Sequence, residues 1–410
     1  MLEIVSETRS AGITWPQGFE GAAGRAGLKA EGDDVALLLC RERAAAAGMF
    51  TTNLVHAPCV DWSRAVVQRG RARAIVCNAG NANACNGPDG VDDNARVAAV
   101  AAEVLGSDVP DVAIASTGVI GRRLPVDRIC AVLPGMAAAA AKGPEVDAAI
   151  AHAILTTDTR PKQIAVEAQS SHWAGPVHFG GVCKGSGMIA PRLGPPHATM
   201  LCFLTMDGAI RPQDLQQCLQ YAVERTFNRL TVDGDTSTND MVLALASGVG
   251  HAIPATEEAL GDLAQVLEYV CGALARECAQ DGEGATKLVE VTVRGARTEG
   301  DAARIARAIA ESLLVKTALF GCDPNWGRIL AAAGRCGVAF DPQSVDLVLG
   351  NVQVCRNGYG ADFDRDQAKA ALHQPEVRLE LNIHQGTASA TFWTCDLSYD
   401  YVRINAEYHT

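Results

Sequence analysis

The stretch that most restricts the fold runs from Lys184 to Thr205. Gly185, Gly187, Pro191, Gly194, Pro195 and Pro196 crowd its first half, and the apolar run Met200-Leu201-Cys202-Phe203-Leu204 fills its second. Prolines, which donate no N–H, and glycines, which cost a helix entropy, exclude a helix over the first half. A short apolar run bounded by such punctuation reads as a buried strand. Thr199 then stands where a loop enters a sheet, directly after the small Ala198. A sheet can fix a threonine at its branched Cβ while the hydroxyl faces a cleft, which is a seat for a nucleophile. Gly185 to Ala190 also fits a GxGxxA dinucleotide fingerprint, but that loop needs a helix opening at its glycines to hold a pyrophosphate. The prolines from Pro191 to Pro196 forbid that helix, and Lys-Gly-Ser reverses the Gly-Lys-Ser order of a phosphate-binding loop. Lys184 reads instead as a fixed cation beside Thr199.

At 410 residues the chain has room for two or three domains and a sizeable core. With 35 basic against 47 acidic side chains its formal charge is −12 and no basic block occurs, so nucleic acid and anionic membranes are poor partners. Fourteen cysteines lie scattered from Cys40 to Cys395 without a CxxC pair or metal spacing, as expected of reduced, buried thiols. The N-terminus carries acid and lacks an apolar core segment, and no charge-free apolar run approaches the roughly 20 residues that span a bilayer. These features predict a soluble, cytoplasmic protein with no membrane contact.

Apolar runs predict strands over 36–40, 74–77 and 111–115, and helical spacing predicts helices over 91–105, 126–136 and 146–155. The second strand leads into the polar loop Asn78 to Asn83, a wall of the site. Pro212 to Phe227 and Leu263 to Ala279 read as helices. Leu288 to Val293 then reads as a strand, 302–314 as a helix, and 345–349, 377–383 and 388–394 as further strands. Three aspartates in Asp233 to Asp240 imitate the start of a calcium loop, but no Glu follows at its twelfth position, so the reading is no metal. The tail, apolar and aromatic to its end, reads as a docked terminus. The division expected is a main domain over 1–285 and a smaller C-terminal α/β domain over 286–410.

Seven blocks recur in order along the chain: Cys77 to Cys85, Ser116 to Gly121, Thr156 to Thr159, Thr231 to Asp240, Asp281 to Lys287, Phe320 to Ile329 and Cys395 to Tyr401. Together with Lys-Gly-Ser-Gly-Met-Ile-Ala-Pro and the Ala198-Thr199 junction they resemble the self-cleaving ornithine acetyltransferase family, also called glutamate N-acetyltransferase or ArgJ. The resemblance implies an α+β fold, a layered α/β sandwich of the DmpA/ArgJ-like type. It implies that Thr199 cuts the Ala198–Thr199 bond, leaving chains 1–198 and 199–410 assembled as two copies of each. One departure is visible: the family has only a residue pair between its Pro and the Ala-Thr junction, and Arg192 to His197 lengthen that loop here.

The same resemblance assigns roles. Thr117 and Gly118 form the oxyanion hole, Thr156, Lys184, Thr199, Asn405 and Thr410 touch substrate, and Glu283 binds the side-chain ammonium of ornithine. A Gly N–H beside a Thr hydroxyl suits an acyl-transfer oxyanion, worth about 3–4 kcal/mol per donor. Cleavage frees an α-amine on the nucleophile's own residue, which can act as its base. The expected reaction is ping-pong transfer of acetyl from N-acetylornithine to glutamate in arginine biosynthesis, with no cofactor and acetyl-CoA as a possible co-substrate. Two other readings stay open: an N-terminal-nucleophile amidase or aminopeptidase that gives its acyl group to water, and an inactive binding protein.

Overall fold

A computed structural model of the chain describes residues 1–194 and 200–407. The first sheet comprises β1 (Leu2–Thr8), β2 (Phe19–Gly24), β3 (Val35–Thr51), β4 (Arg71–Asn81), β5 (Val112–Val119), β6 (Lys162–Ser170), β7 (Val177–Lys184), β8 (Leu193–Gly194), β9 (Leu201–Met206) and β10 (Met241–Ala246). Its order is β1-β6-β7-β9-β10-β3-β4-β5, with β2 and β8 paired to β3. β9 and β10 run parallel with Leu201 opposite Met241, and β7 flanks β9 antiparallel with Lys184 opposite Leu201.

Every residue of β9 and β10 is buried, and alternate side chains enter different cores. Leu201, Phe203, Met241 and Leu243 join the layer of α1 (Pro58–Gln68), α2 (Gly87–Leu105), α3 (Val126–Ala139) and α4 (Pro144–Ala153). Cys202, Leu204, Val242 and Ala244 join α5 (Pro212–Arg225) and α6 (Glu257–Gln280) on the opposite face. Burial on both faces is why these strands are unbroken apolar runs.

The second sheet, in the order β14-β13-β12-β15-β11-β16, comprises β11 (Leu288–Ala296), β12 (Asp346–Leu349), β13 (Val352–Arg356), β14 (Tyr359–Gly360), β15 (Glu376–Asn382) and β16 (Ala388–Cys395). Val289, Val291 and Val293 alternate into a third core against α7 (Glu299–Ala310), with α8 (Leu313–Phe320), α9 (Trp326–Gly334) and α10 (Arg365–Leu372) around it. α11 (Tyr399–Glu407) ends the described chain. The architecture is an α+β layered sandwich carrying a smaller α/β layer. Among the described residues no helix is long and apolar enough to cross a membrane.

Several elements depart from the sequence expectation. β3 continues far beyond residue 40: exposed Arg41 to Arg43 fall at a register shift between Leu39 and Ala44, and small residues then resume the strand. Asn78 to Asn81 belong to β4 rather than to a loop: the buried Asn78 amide is paired, donating to Asn81 O and accepting from Ser116 Oγ, so a polar residue is tolerated inside the strand. The single helix expected over 302–314 is two helices, since the Ser312 hydroxyl caps α8 by accepting from Val315 N. The tail docks along one edge only. Tyr401 and Ile404, one turn apart, are half-buried, whereas Tyr399 is 84% exposed.

Candidate active site

β7 ends at Lys184, and the strand pairing carries that side chain into a buried polar cluster. Lys184 Nζ donates to Thr156 Oγ1 at 2.9 Å and Thr117 Oγ1 at 3.3 Å, and lies 3.8 Å from Asp158 Oδ2. The three sequence-expected positions 117, 156 and 184 thus meet at one ammonium. Thr117 comes from the end of β5, held in parallel register with β4 so that Ala79 faces Thr117 and Gly80 faces Gly118. Gly118 has φ +130°, and a Cβ there would lie 2.3 Å from Gly80 C and 2.5 Å from Asn81 N. Only glycine lets β4 and β5 close at this point.

Around this turn, asparagines take the backbone polar groups that the sheet leaves over. Ser116 Oγ donates to Asn78 Oδ1 at 2.7 Å, Asn78 Nδ2 donates to Asn81 O at 2.8 Å, and Asn239 Nδ2 donates to Ala82 O at 2.6 Å and Ser116 O at 2.9 Å. Thr156 follows the end of α4, where Lys29 Nζ donates to the carbonyls of His152, Ala153 and Leu155 at 3.2, 3.2 and 3.3 Å. A cation at a helix C-terminus is favourable, and this one fixes the approach to Thr156.

A buried ion network that sequence reasoning missed underlies Lys184. Lys162 Nζ lies 2.7 Å from Asp158 Oδ1 and 2.5 Å from Asp281 Oδ2, all three side chains being buried. Burial opposes ionisation of Asp158, yet Lys184 and Lys162, with the Gly185 amide at 2.6 Å, hold its carboxyl at about 2. Burial likewise opposes the charge of Lys162, and Asp158 and Asp281 reverse this, raising its affinity for the proton. The residues lie four and 119 positions apart, a pairing that spacing alone does not reveal.

The glycine loop after Lys184 meets Glu283. Glu283 N donates to Ser186 O at 3.0 Å, and Asn405 Nδ2 donates to Glu283 Oε2 at 2.7 Å. A Cβ on Gly187 would lie 2.3 Å from the Glu283 carboxyl, so the missing side chain is the room the carboxylate occupies. Lys184 and Gly187 are three residues apart, at most about 11 Å along the chain. The two clusters therefore flank one short loop. Asp233 clamps that loop by accepting from Met188 N at 2.6 Å and Ile189 N at 2.9 Å. Burial raises its carboxyl to about 6, against the pull of those amides.

Met200, 1% exposed, leads into β9, and its carbonyl accepts from Met241 N at 2.8 Å. Ala198, Thr199 and Thr410 lie outside the described residues. Among the described residues no three His, Cys, Asp or Glu side chains are grouped to hold a metal ion. A separate cleft of about 650 Å³, lined by Arg9, Glu268, Tyr269, Arg276 and Trp393 among others, contains none of the residues above.

The model of the ArgJ family matches residues 20–410. The chain belongs to the ArgJ family. Among curated ArgJ proteins, the arginine biosynthesis bifunctional protein ArgJ of Symbiobacterium thermophilum is 48% identical, over 98% of this chain and 100% of its own. That of a Synechococcus species is 46% identical over the whole of both chains. A crystal structure of ArgJ from Bacillus halodurans is 41% identical and covers 50% of this chain and 97% of its own, with a TM-score of 0.48.

Proposed function

We propose that this chain transfers the acetyl group of N-acetylornithine to glutamate through an acyl-threonine at Thr199, and also acetylates glutamate from acetyl-CoA. The observation that carries this reading is the convergence of Thr117 and Thr156 on Lys184 at the mouth of β9. Thr117 Oγ1 accepts from the ammonium, which leaves its own proton to donate. With the Gly118 N–H it supplies two donors for the oxygen that gains charge when an acetyl carbonyl is attacked. Glu283, oriented by Asn405, suits the side-chain ammonium of ornithine. Curated relatives matched along their whole length bear the name bifunctional, which supports the acetyl-CoA activity.

The Thr199 hydroxyl attacks the Ala198 carbonyl, the amide nitrogen leaves with a proton, and water opens the ester to give chains 1–198 and 199–410. Thr199 then takes acetyl from acetylornithine, its proton passing to the new α-amine, and releases ornithine. Glutamate attacks the ester and leaves as acetylglutamate. No cofactor takes part. The mature enzyme is two copies of each chain in the cytoplasm. Product analysis decides the matter: acetylglutamate should form from acetylornithine plus glutamate, and from acetyl-CoA plus glutamate. Release of free acetate at an unchanged rate when glutamate is added would indicate a hydrolase instead.

A further inference from the structure

Main-chain groups along the outer side of β5 are met by side chains at every second residue. β5 closes the order of the first sheet, so among the described residues β4 is the strand that pairs with it. On its other side lies α1. Trp62 Nε1 donates to Val112 O at 2.9 Å, and Ser63 Oγ donates to Ile114 O at 2.6 Å while accepting from Ile114 N at 2.8 Å. Main-chain groups point alternately to the two sides of a strand, so Ser116 and then Gly118 come next on this edge. At Ser116 another element takes over from the helix: Asn239, in the loop before β10, donates from Nδ2 to Ser116 O at 2.9 Å. Its second amide proton goes to Ala82 O at 2.6 Å, just past the end of β4. One side-chain amide therefore ties together the ends of the two strands at the Thr117-Gly118 turn.

Asn239 is itself held. Thr238 Oγ1 donates to Asn239 Oδ1, Ala57 N donates to Thr238 O at 2.9 Å, and Thr51 N donates to Asp240 O at 3.0 Å. The groups that face its Nδ2 at hydrogen-bond distance are carbonyls, which fixes which way round the amide stands. The residue is buried, and the chemistry above gives it no step.

We propose that Asn239 is the positioning residue of the oxyanion hole, fixing the Ser116–Thr117 peptide from which the Thr117 hydroxyl and the Gly118 N–H are aimed. This rests on the function proposed above. Ser116 O and Thr117 N share one rigid peptide plane, so a bond to that oxygen stops the plane from tilting. A donor displaced by about 1 Å from a forming oxyanion loses about 100-fold in rate. Asn239 acts through that turn rather than on the acetyl group. It follows residue 199 in the chain, whereas Thr117 and Gly118 precede residue 198, so one product of the cut would aim the donors carried by the other.

The test is a double-mutant cycle on acetyl transfer from acetylornithine to glutamate, using Asn239→Leu, Thr117→Val and the pair. Asn239→Leu keeps much of the shape and removes both donors. Alone it should lower kcat about 30-fold with KM within about twofold. Beside Thr117→Val, where one of the two aimed donors is already gone, it should lower kcat less than about fivefold. A residue that serves packing alone would lower kcat by the same factor in both backgrounds, and that result overturns the proposal. So does an unchanged kcat, or a raised KM with kcat kept. Should Asn239→Leu remain uncut, its urea midpoint is compared with that of uncut Thr199→Val. A matching midpoint supports the proposal, because the same donors serve the cut, and a midpoint well below it assigns the loss to packing and overturns it. A wild type that forms no acetylglutamate defeats the function and this inference together, whereas an active wild type with an uncoupled cycle defeats this inference alone.

Discussion

Two glycines of the site differ in what a methyl group would strike, and this separates folding from binding. At Gly118 the added Cβ meets the backbone of Gly80 and Asn81 at a φ that side chains rarely adopt. Gly118→Ala should therefore destabilise the protein by about 3 kcal/mol, read as a fall in the urea midpoint. At Gly187 the Cβ meets only the end of the Glu283 side chain, which can move. Gly187→Ala should fold normally and raise KM for acetylornithine at least tenfold, with kcat reduced less. Thr117→Val, which removes a hydroxyl but little volume, should lower kcat about 100-fold and leave the melting temperature within a few degrees. Lys184, Thr117 and Thr156 were legible in the sequence as members of ordered motifs. Asp158, Lys162 and Asp281 were not singled out as partners, because a buried ion pair joins residues by chain path, and no local pattern of charge records it.

At the level of elements, Lys162 ties the first residue of β6 to the turn after α4 and the end of α6. Removing this charge leaves buried Asp281 without its cation and Asp158 with Lys184 alone at 3.8 Å, so Lys162→Met should cost about 3–5 kcal/mol by chemical denaturation. The same network gives an acid limit. Asp158 is held near 2 in the fold against about 3.9 when free, so its stabilisation is present above pH 4 and is lost as pH falls from about 4 to about 2. Wild-type stability should therefore drop across that window. The elements read best from sequence were those with one dominant period, α2, α3, α5, α6 and β11, and the unbroken apolar run of β9. β3 and β4 were read short, because charged Arg41 to Arg43 and the polar Asn78 to Asn81 interrupt their apolar pattern while backbone pairing continues. β1, β2, β6 and β7 carried too many small or polar residues to stand out.

For the whole molecule, the place of the 198–199 bond in chain order, after β8 and before β9, has a mechanical consequence. Everything up to β8 would belong to one chain after cleavage and everything from β9 to the other, yet β9 pairs with β7 and β10 pairs with β3. Both large cores draw side chains from either side of the cut. Severing the chain therefore opens no seam. The two products should migrate together in native gel filtration and separate only in denaturant. The layered class was legible through the resemblance carried by the ordered motifs, but the strand order, with late strands β9 and β10 inserted between β7 and β3, is long-range pairing that no local window contains.

Thr199 as the acyl carrier is the claim on which the rest depends, and intact-mass measurement addresses it most directly. Purified protein is mixed with acetylornithine alone, quenched in acid and weighed. The account expects two chains split at Ala198–Thr199, one acetyl group on the chain that begins at Thr199, none on residues 1–198, and loss of that group when glutamate is added. A single intact chain in active protein, or an acetyl group carried on residues 1–198, would contradict it.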